Sequence, residues 1–275
     1  MSHASDTSQR LHNEYAHAGG VARVFSAKIS DYVASRPDYP SALLDEIARE
    51  CALEPGHRIA DVGAGTGLLT RDLLARGYRV TAVEPNAEMR DACNTLLGQL
   101  PNFQCVDGTA ESMPLADQSV DLVTAATAFH WFNIEESRRE ILRVLAPHGK
   151  VALIWNDRLL SDPLHVVLDG VFNEFGGAQR NALIAHEDRS AVADFFGATT
   201  PSIFSCPHVH RLGASGLISL VLSRSYMPPR ESVNGLWVAD NVRRIFDDFA
   251  HEGLVDVNYT SVAYIGRPKS VIDAK

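Results

Sequence analysis

The stretch IADVGAGTG, Ile59 to Gly67, constrains this chain more than any other. A strand-type apolar run over residues 57–62 meets Gly63-Ala64-Gly65-Thr66-Gly67 and passes directly into a helical pattern over 66–76. Glycine at Gly63 and Gly65 lets the backbone turn tightly and approach a ligand where a Cβ would clash. Exposed N–H groups at the start of the helix favour a carboxylate or phosphate. A tight turn with no ligand is built from the same residues, so the loop alone leaves both readings open.

The periods around the loop supply the fold. Residues 78–83, 103–106, 120–126 and 150–155 read as strands, and 86–97 and 134–145 as helices, the latter closed by Pro147 and Gly149. Strand and helix alternating through short turns specify an α/β architecture with a parallel sheet covered on both faces. Right-handed crossovers make it an open, doubly wound sheet. Upstream, Pro37 and Pro40 fix an extended turn, and Ser41 is expected to cap a helix with Leu43, Leu44, Ile47 and Ala48 on one face.

After Trp155 the rhythm changes. Residues 162–175, 187–196, 217–223 and 233–250 read as helices, and 203–212 and 255–264 alternate like strands, the final one antiparallel. The stretch 157–250 is too long for a connection and predicts a helical lid over the carboxyl edge of the sheet. The expected division is an N-terminal cap segment at 1–30, a cofactor-binding core at 31–156, a lid and substrate region at 157–250, and a final strand with tail at 251–275. The stripe Leu236, Val242, Ile245, Phe246 and Phe249 is read as the buried face of an amphipathic helix, a dimer seam being the other reading; monomer and homodimer both stay open.

Composition narrows the partners. Twenty-five basic against 34 acidic residues give a net charge of −9, a poor basis for binding nucleic acid or an anionic membrane. No apolar run approaches the roughly 20 residues that span a bilayer. The N-terminus lacks the apolar centre of a signal peptide, which predicts a soluble, cytoplasmic protein with a small-molecule substrate. Cys51, Cys93, Cys105 and Cys206 show no CxxC spacing. His208 and His210 fall on one face of a strand, a pattern too sparse by itself for a metal site, so no metal is expected.

Spacing then points to a nucleoside. A dinucleotide fingerprint needs G-x-G-x-x-G, but Leu68 stands where its third glycine belongs. Glu84 ends the next strand about 20 residues on, where an acid accepts both hydroxyls of a ribose. Pro85 and Asn86 open the following helix.

Four stretches, YVASRPDYP from Tyr32, DVGAGTG from Asp61, VEPNAEM from Val83 and GTAESMPL from Gly108, followed by AFHWF from Ala128, resemble the class I S-adenosylmethionine-dependent methyltransferases of the type-11 kind. More narrowly they are similar to the branch of trans-aconitate and related small-molecule methyltransferases; SRSYMP from Ser223 is similar more weakly. The resemblance covers residues 30–155. It implies a Rossmann-like fold, S-adenosyl-L-methionine as cofactor with S-adenosyl-L-homocysteine as product, and cofactor contacts at Tyr32, Arg36, Asp61, Gly63, Ala64, Gly65, Glu84, Pro85, Met89, Thr109, Ala110 and Thr127. Asp61 would order the amino group, Arg36 the carboxylate, and Glu84 the ribose. Many relatives carry aspartate where Thr109 stands, so the Thr109 hydroxyl or Asp107 must meet the adenine, with Met89 and Met113 beside it or simply filling core.

Methyl transfer from a sulfonium is an in-line displacement in which alignment and water exclusion supply roughly 7–11 kcal/mol in favourable systems. His130 and Trp131 follow the fourth strand at the carboxyl edge, His130 as a base for a phenolic acceptor or as packing, Trp131 as pocket wall. A carboxylate acceptor needs no base and wants a cation from the lid, for which Arg224 and Arg230 are available, with Tyr226 nearby. Oxygen is the favoured methyl-accepting atom. Two alternatives stand beside this reading: a nicotinamide-dependent oxidoreductase, and a non-catalytic methyltransferase-like binding module.

Overall fold

Seven strands form one sheet: β1 (Arg58–Val62), β2 (Arg79–Val83), β3 (Phe103–Val106), β4 (Val120–Ala126), β5 (Leu145–Arg158), β6 (Ser202–Leu212) and β7 (Val255–Gly266), in the order β3-β2-β1-β4-β5-β7-β6. The first five are parallel, and β7 runs antiparallel between β5 and β6. The computed structural model describes residues 13, 28–184, 189–197 and 199–268. Most of the expected 1–30 segment, the start of the helix expected from 187, and the tail after 268 lie outside the described residues. The order reverses between β1 and β4, which places the crevice of an open sheet at their carboxyl ends.

Side-chain alternation builds the two faces. Along β5, Ala152 and Ile154 join α2 (Ser41–Glu50) and α3 (Leu68–Ala75) on one face, packing with Leu43, Leu44, Ile47, Leu69 and Leu73. Val151, Leu153 and Trp155 face the opposite way, onto Ile141 and Val144 of α5 (Ile134–Val144) and Phe195 and Phe196 of α7 (Ser190–Phe196). Helix α4 (Ala87–Leu97) starts at Asn86, whose side chain accepts from the Met89 N–H. Ser41 is not the cap of α2. It is the first helical residue, after Pro40, whose ring has already fixed φ for entry.

The long stretch after β5 does two jobs. Residues Ser202–Leu212 are sheet rather than lid, because β7 offers them a strand edge to pair with. The remainder packs as α6 (Pro163–Ile184), α8 (Ala214–Leu222) and α9 (Val233–Phe249) around Phe172, Leu217, Val221 and Val242. The buried stripe of α9 is Val238, Val242 and Phe246; of the expected stripe, Leu236 (61% exposed) and Phe249 (37% exposed) fall off this face. Helix α6 breaks at Gly177, with φ +50 and ψ −145. A short helix not anticipated from the sequence, α1 (Ile29–Ser35), lies against α8. Among the described residues no helix is long and apolar enough to cross a membrane.

Candidate active site

The two glycines that open the loop differ in what they need. A Cβ on Gly63 would stand 2.6 Å from the Ala128 Cβ, so glycine there permits close packing at φ +68. At Gly65, φ +58, a Cβ would meet nothing closer than Tyr32 at 3.9 Å, which leaves an open face under the Tyr32 ring. Four of the loop N–H groups are already paired within the protein. Gly63 and Ala64 donate to Val83 O, Gly67 donates to Ala64 O, and Gly65 donates to Glu84 Oε2 at 2.8 Å.

Two buried carboxylates flank the open face. Asp61 is 1% exposed and accepts hydroxyls from Thr70 (2.7 Å) and Thr124 (2.8 Å). Burial pushes its pKa up from 3.8 to about 6 against the hydrogen bonds from Thr70 and Thr124. None of the ion pairs among the described residues involves it, so a ligand ammonium would find a carboxylate lacking a counter-ion. Glu84 takes the Gly65 N–H on Oε2 and the Asn86 N–H on Oε1 (2.9 Å), which leaves each oxygen a lone pair for a hydroxyl. Burial raises its pKa, while those two N–H groups hold it down.

The region expected to meet a purine is less open. Met89, Ala110 and Met113 are buried, and Pro85 is exposed. The Thr109 hydroxyl accepts from the Glu111 N–H at 3.3 Å, while Asp107 pairs with Arg90 at 3.1 Å. Arg90 also donates to Glu84 O at 2.8 Å, bracing the strand end.

A cavity of about 230 Å³ lies beneath the lid and is bounded next to the glycine loop by Tyr32, Leu68 and Thr127. Tyr32, Arg36, Thr127, His130 and Trp131 line it, as the sequence places them, together with Arg224 and Tyr226. Thr127 holds φ +52, rare for a β-branched residue, and turns the chain at the end of β4. The 3₁₀ turn Phe129–Trp131 then points His130 and Trp131 to the cavity, their rings 4.8 Å apart, while Phe129 and Phe132 fold into the core. Arg36 lies 4.7 Å from the Tyr32 ring centre and donates to Ser223 O at 3.3 Å.

Several lining residues escaped the sequence reading. Tyr39 shares a hydrogen bond with the Thr127 side chain, and burial raises its pKa so that the phenol stays protonated. Arg158 and Arg224 both lie on the Phe172 ring, at 5.2 and 4.5 Å. Beyond the Gly177 break, Arg180 folds back to Asp169 (2.5 Å) and Asn173 (2.7 Å), and Asp169 also meets Arg158 at 3.2 Å. Arg189 covers Trp155 at 4.0 Å and pairs with Asp157. Burial and the nearby Arg224 lower the Arg158 pKa. Nothing local in the sequence marks Arg158, Arg180 or Arg189. Arg230 is not a pocket cation: it forks the buried Asp31 and donates to Ser219. His208 lies 3.3 Å from Asp38, and His210 lies 2.9 Å from Ser35 O, both partners preceding α2.

Comparison with known proteins agrees with this geometry. Residues 60–153 match the methyltransferase domain family. An uncharacterized methyltransferase of Mycobacterium bovis is 32% identical over 247 residues, 88% of this chain and 92% of its own length. One from Schizosaccharomyces pombe is 42% identical over 144 residues, 52% of this chain; the chain spans about half the length of that relative, 56%. A structure from Anaeromyxobacter dehalogenans, described as a type II methyltransferase, superposes with a TM-score of 0.62 at 21% identity, over 84% of this chain and 97% of that one, and shares the fold. With full-length similarity to a methyltransferase, the domain match and this sheet, the chain belongs to the class I methyltransferase family.

Proposed function

We propose that the protein is an S-adenosylmethionine-dependent O-methyltransferase acting on a small organic acceptor that carries an anionic group. The observation that carries this reading is one cavity that reaches Leu68, at the start of the helix after the glycine loop, and Tyr32, whose ring faces Gly65, and that is walled by the guanidinium groups of Arg36, Arg158, Arg180, Arg189 and Arg224. Asp157 and Asp169 answer some of that charge, and the rest favours an anion. A volume of about 230 Å³ suits a small molecule, not a polymer.

The residues fit the cofactor. Asp61 offers a buried carboxylate to its amino group, Glu84 two acceptors to its ribose, and the bare Gly65 face room for its chain under Tyr32. Arg36, which lines the cavity beside Tyr32, is a cation for its carboxylate. Bound S-adenosylmethionine would supply a methyl on a sulfonium, a good leaving group. The chain then has to align the acceptor and exclude water, through Trp131, Tyr39 and the lid residue Tyr226. A carboxylate acceptor is already a nucleophile at neutral pH and needs no base; a phenol would use His130.

Calorimetric titration with S-adenosylmethionine, S-adenosylhomocysteine, NADH and NADPH tests the cofactor. Micromolar adenosyl binding, weakened tenfold or more by Glu84→Ala, is expected; tight nicotinamide binding alone overturns the reading. Transfer of a radiolabelled methyl to a panel of organic acids, followed by mild alkali, tests the atom. A carboxyl ester releases labelled methanol, and a base-stable product rules out ester formation.

A further inference from the structure

The side chains of Lys28, Asp31 and Arg36 all reach into α8 and the segment that follows it. Lys28, 4% exposed, donates from Nζ to Leu222 O and Met227 O, both at 2.8 Å. These carbonyls belong to the last turn of α8 and the turn after it, so the ammonium caps a helix C-terminus from outside. One turn on, Asp31 is gripped by the fork of Arg230, whose Nη2 also donates to Ser219 Oγ at 2.8 Å. Arg36 closes the series on Ser223 O.

These links join segments about 190 residues apart, and two of them bury a charge, Lys28 and Asp31. A buried charge that loses its partner is costly, so the cap is held to residues 219–230 and has no easy way to move alone. The two ends of this unit serve different ligands. On the cap, Tyr32 roofs the open face of Gly65. On the lid, Leu220, Arg224, Ser225 and Tyr226 wall the cavity.

We infer that Lys28, Asp31 and Arg230 are positioning residues that couple the cofactor face to the acceptor wall, so that a ligand seated on Gly65 and Glu84 under Tyr32 fixes residues 217–227 and completes the acceptor site. The inference rests on the cofactor reading above. It makes the two sites cooperative: the cofactor tightens the acceptor, and by linkage an acceptor tightens the cofactor by the same factor.

Hydrogen exchange of the full chain, with and without S-adenosylhomocysteine, tests it. In the wild type the ligand slows exchange at 63–67 and 84–90 and also slows 217–227 at least tenfold. In Asp31→Asn and in Lys28→Met the loop protection persists while that at 217–227 falls below twofold; Arg230→Lys, keeping one charge pair, retains part of it. Protection at 217–227 that is absent in the wild type, or equal in the folded variants, overturns the coupling while leaving the cofactor reading intact. Absence of protection at 63–67 and 84–90 overturns both. The wild-type comparison stands alone, so a variant that fails to fold does not shelter the proposal.

Discussion

The Gly65 backbone N–H donates to Oε2 of Glu84 at 2.8 Å, so the glycine loop and the strand-end acid are one hydrogen-bonded unit. Its two halves come from consecutive strands that pair in parallel, β1 and β2. Whatever sits on the loop therefore feels a change at Glu84 through the backbone as well as through its own contacts.

Replacing Glu84 tests that unit. Glu84→Ala leaves the N–H groups of Gly65 and Asn86 without their acceptor and removes both ribose acceptors. A stability loss of about 1–3 kcal/mol is expected, with S-adenosylhomocysteine affinity down tenfold or more. Chemical unfolding and calorimetry on the same samples measure both; an unchanged affinity rejects the assigned role.

Asp61 trades stability for binding. With a folded pKa of about 6 against an ordinary 3.8, the folded protein holds a proton the unfolded chain has released between those values. The resulting stability is present below about pH 4 and is lost as pH rises through 6, leaving a cost of about 3 kcal/mol at neutral pH. Asp61→Asn is expected to raise stability at pH 7.5 and make no difference near pH 3.5, while weakening S-adenosylhomocysteine at least tenfold. Urea unfolding at the two pH values and a binding titration decide it.

Gly63 and Gly65 separate packing from binding. Gly63→Ala drives a methyl to 2.6 Å from Ala128 Cβ at a positive φ and should destabilise by about 2–4 kcal/mol. Gly65→Ala meets no such neighbour and should lose only about 1 kcal/mol from its φ. It nonetheless fills the ligand face. Thermal unfolding should rank Gly63→Ala as the weaker fold, and calorimetry Gly65→Ala as a folded protein that no longer binds.

Asp169 is the shared partner of Arg158 and Arg180, which are 11% and 10% exposed. Asp169→Asn leaves two buried guanidinium groups facing the cavity without their carboxylate and should destabilise by about 2–4 kcal/mol. Citrate at millimolar concentration should then raise the Tm more in the variant than in the wild type. Equal shifts would place the anion elsewhere than this wall.

The sequence by itself determined the alternating sheet, the glycine loop and the strand-end acid, because each depends on residues within one strand–turn–helix unit. The period of two in β5 and the turn at Gly63–Gly67 need no distant partner to be read. Only the tertiary structure decided what the loop's N–H groups do, since their acceptors Val83 and Glu84 arrive with the next strand. Tertiary structure also sorted the arginines. Arg224 and Arg230 are six residues apart and alike in sequence, yet one lines the cavity and the other is bound to Asp31, 199 positions away. Arg158, Arg180 and Arg189 converge from a strand end, a helix broken at Gly177 and the start of α7. A charged side chain carries no local mark of its partner, and burial, which gives that partner its weight, exists only once the chain has folded.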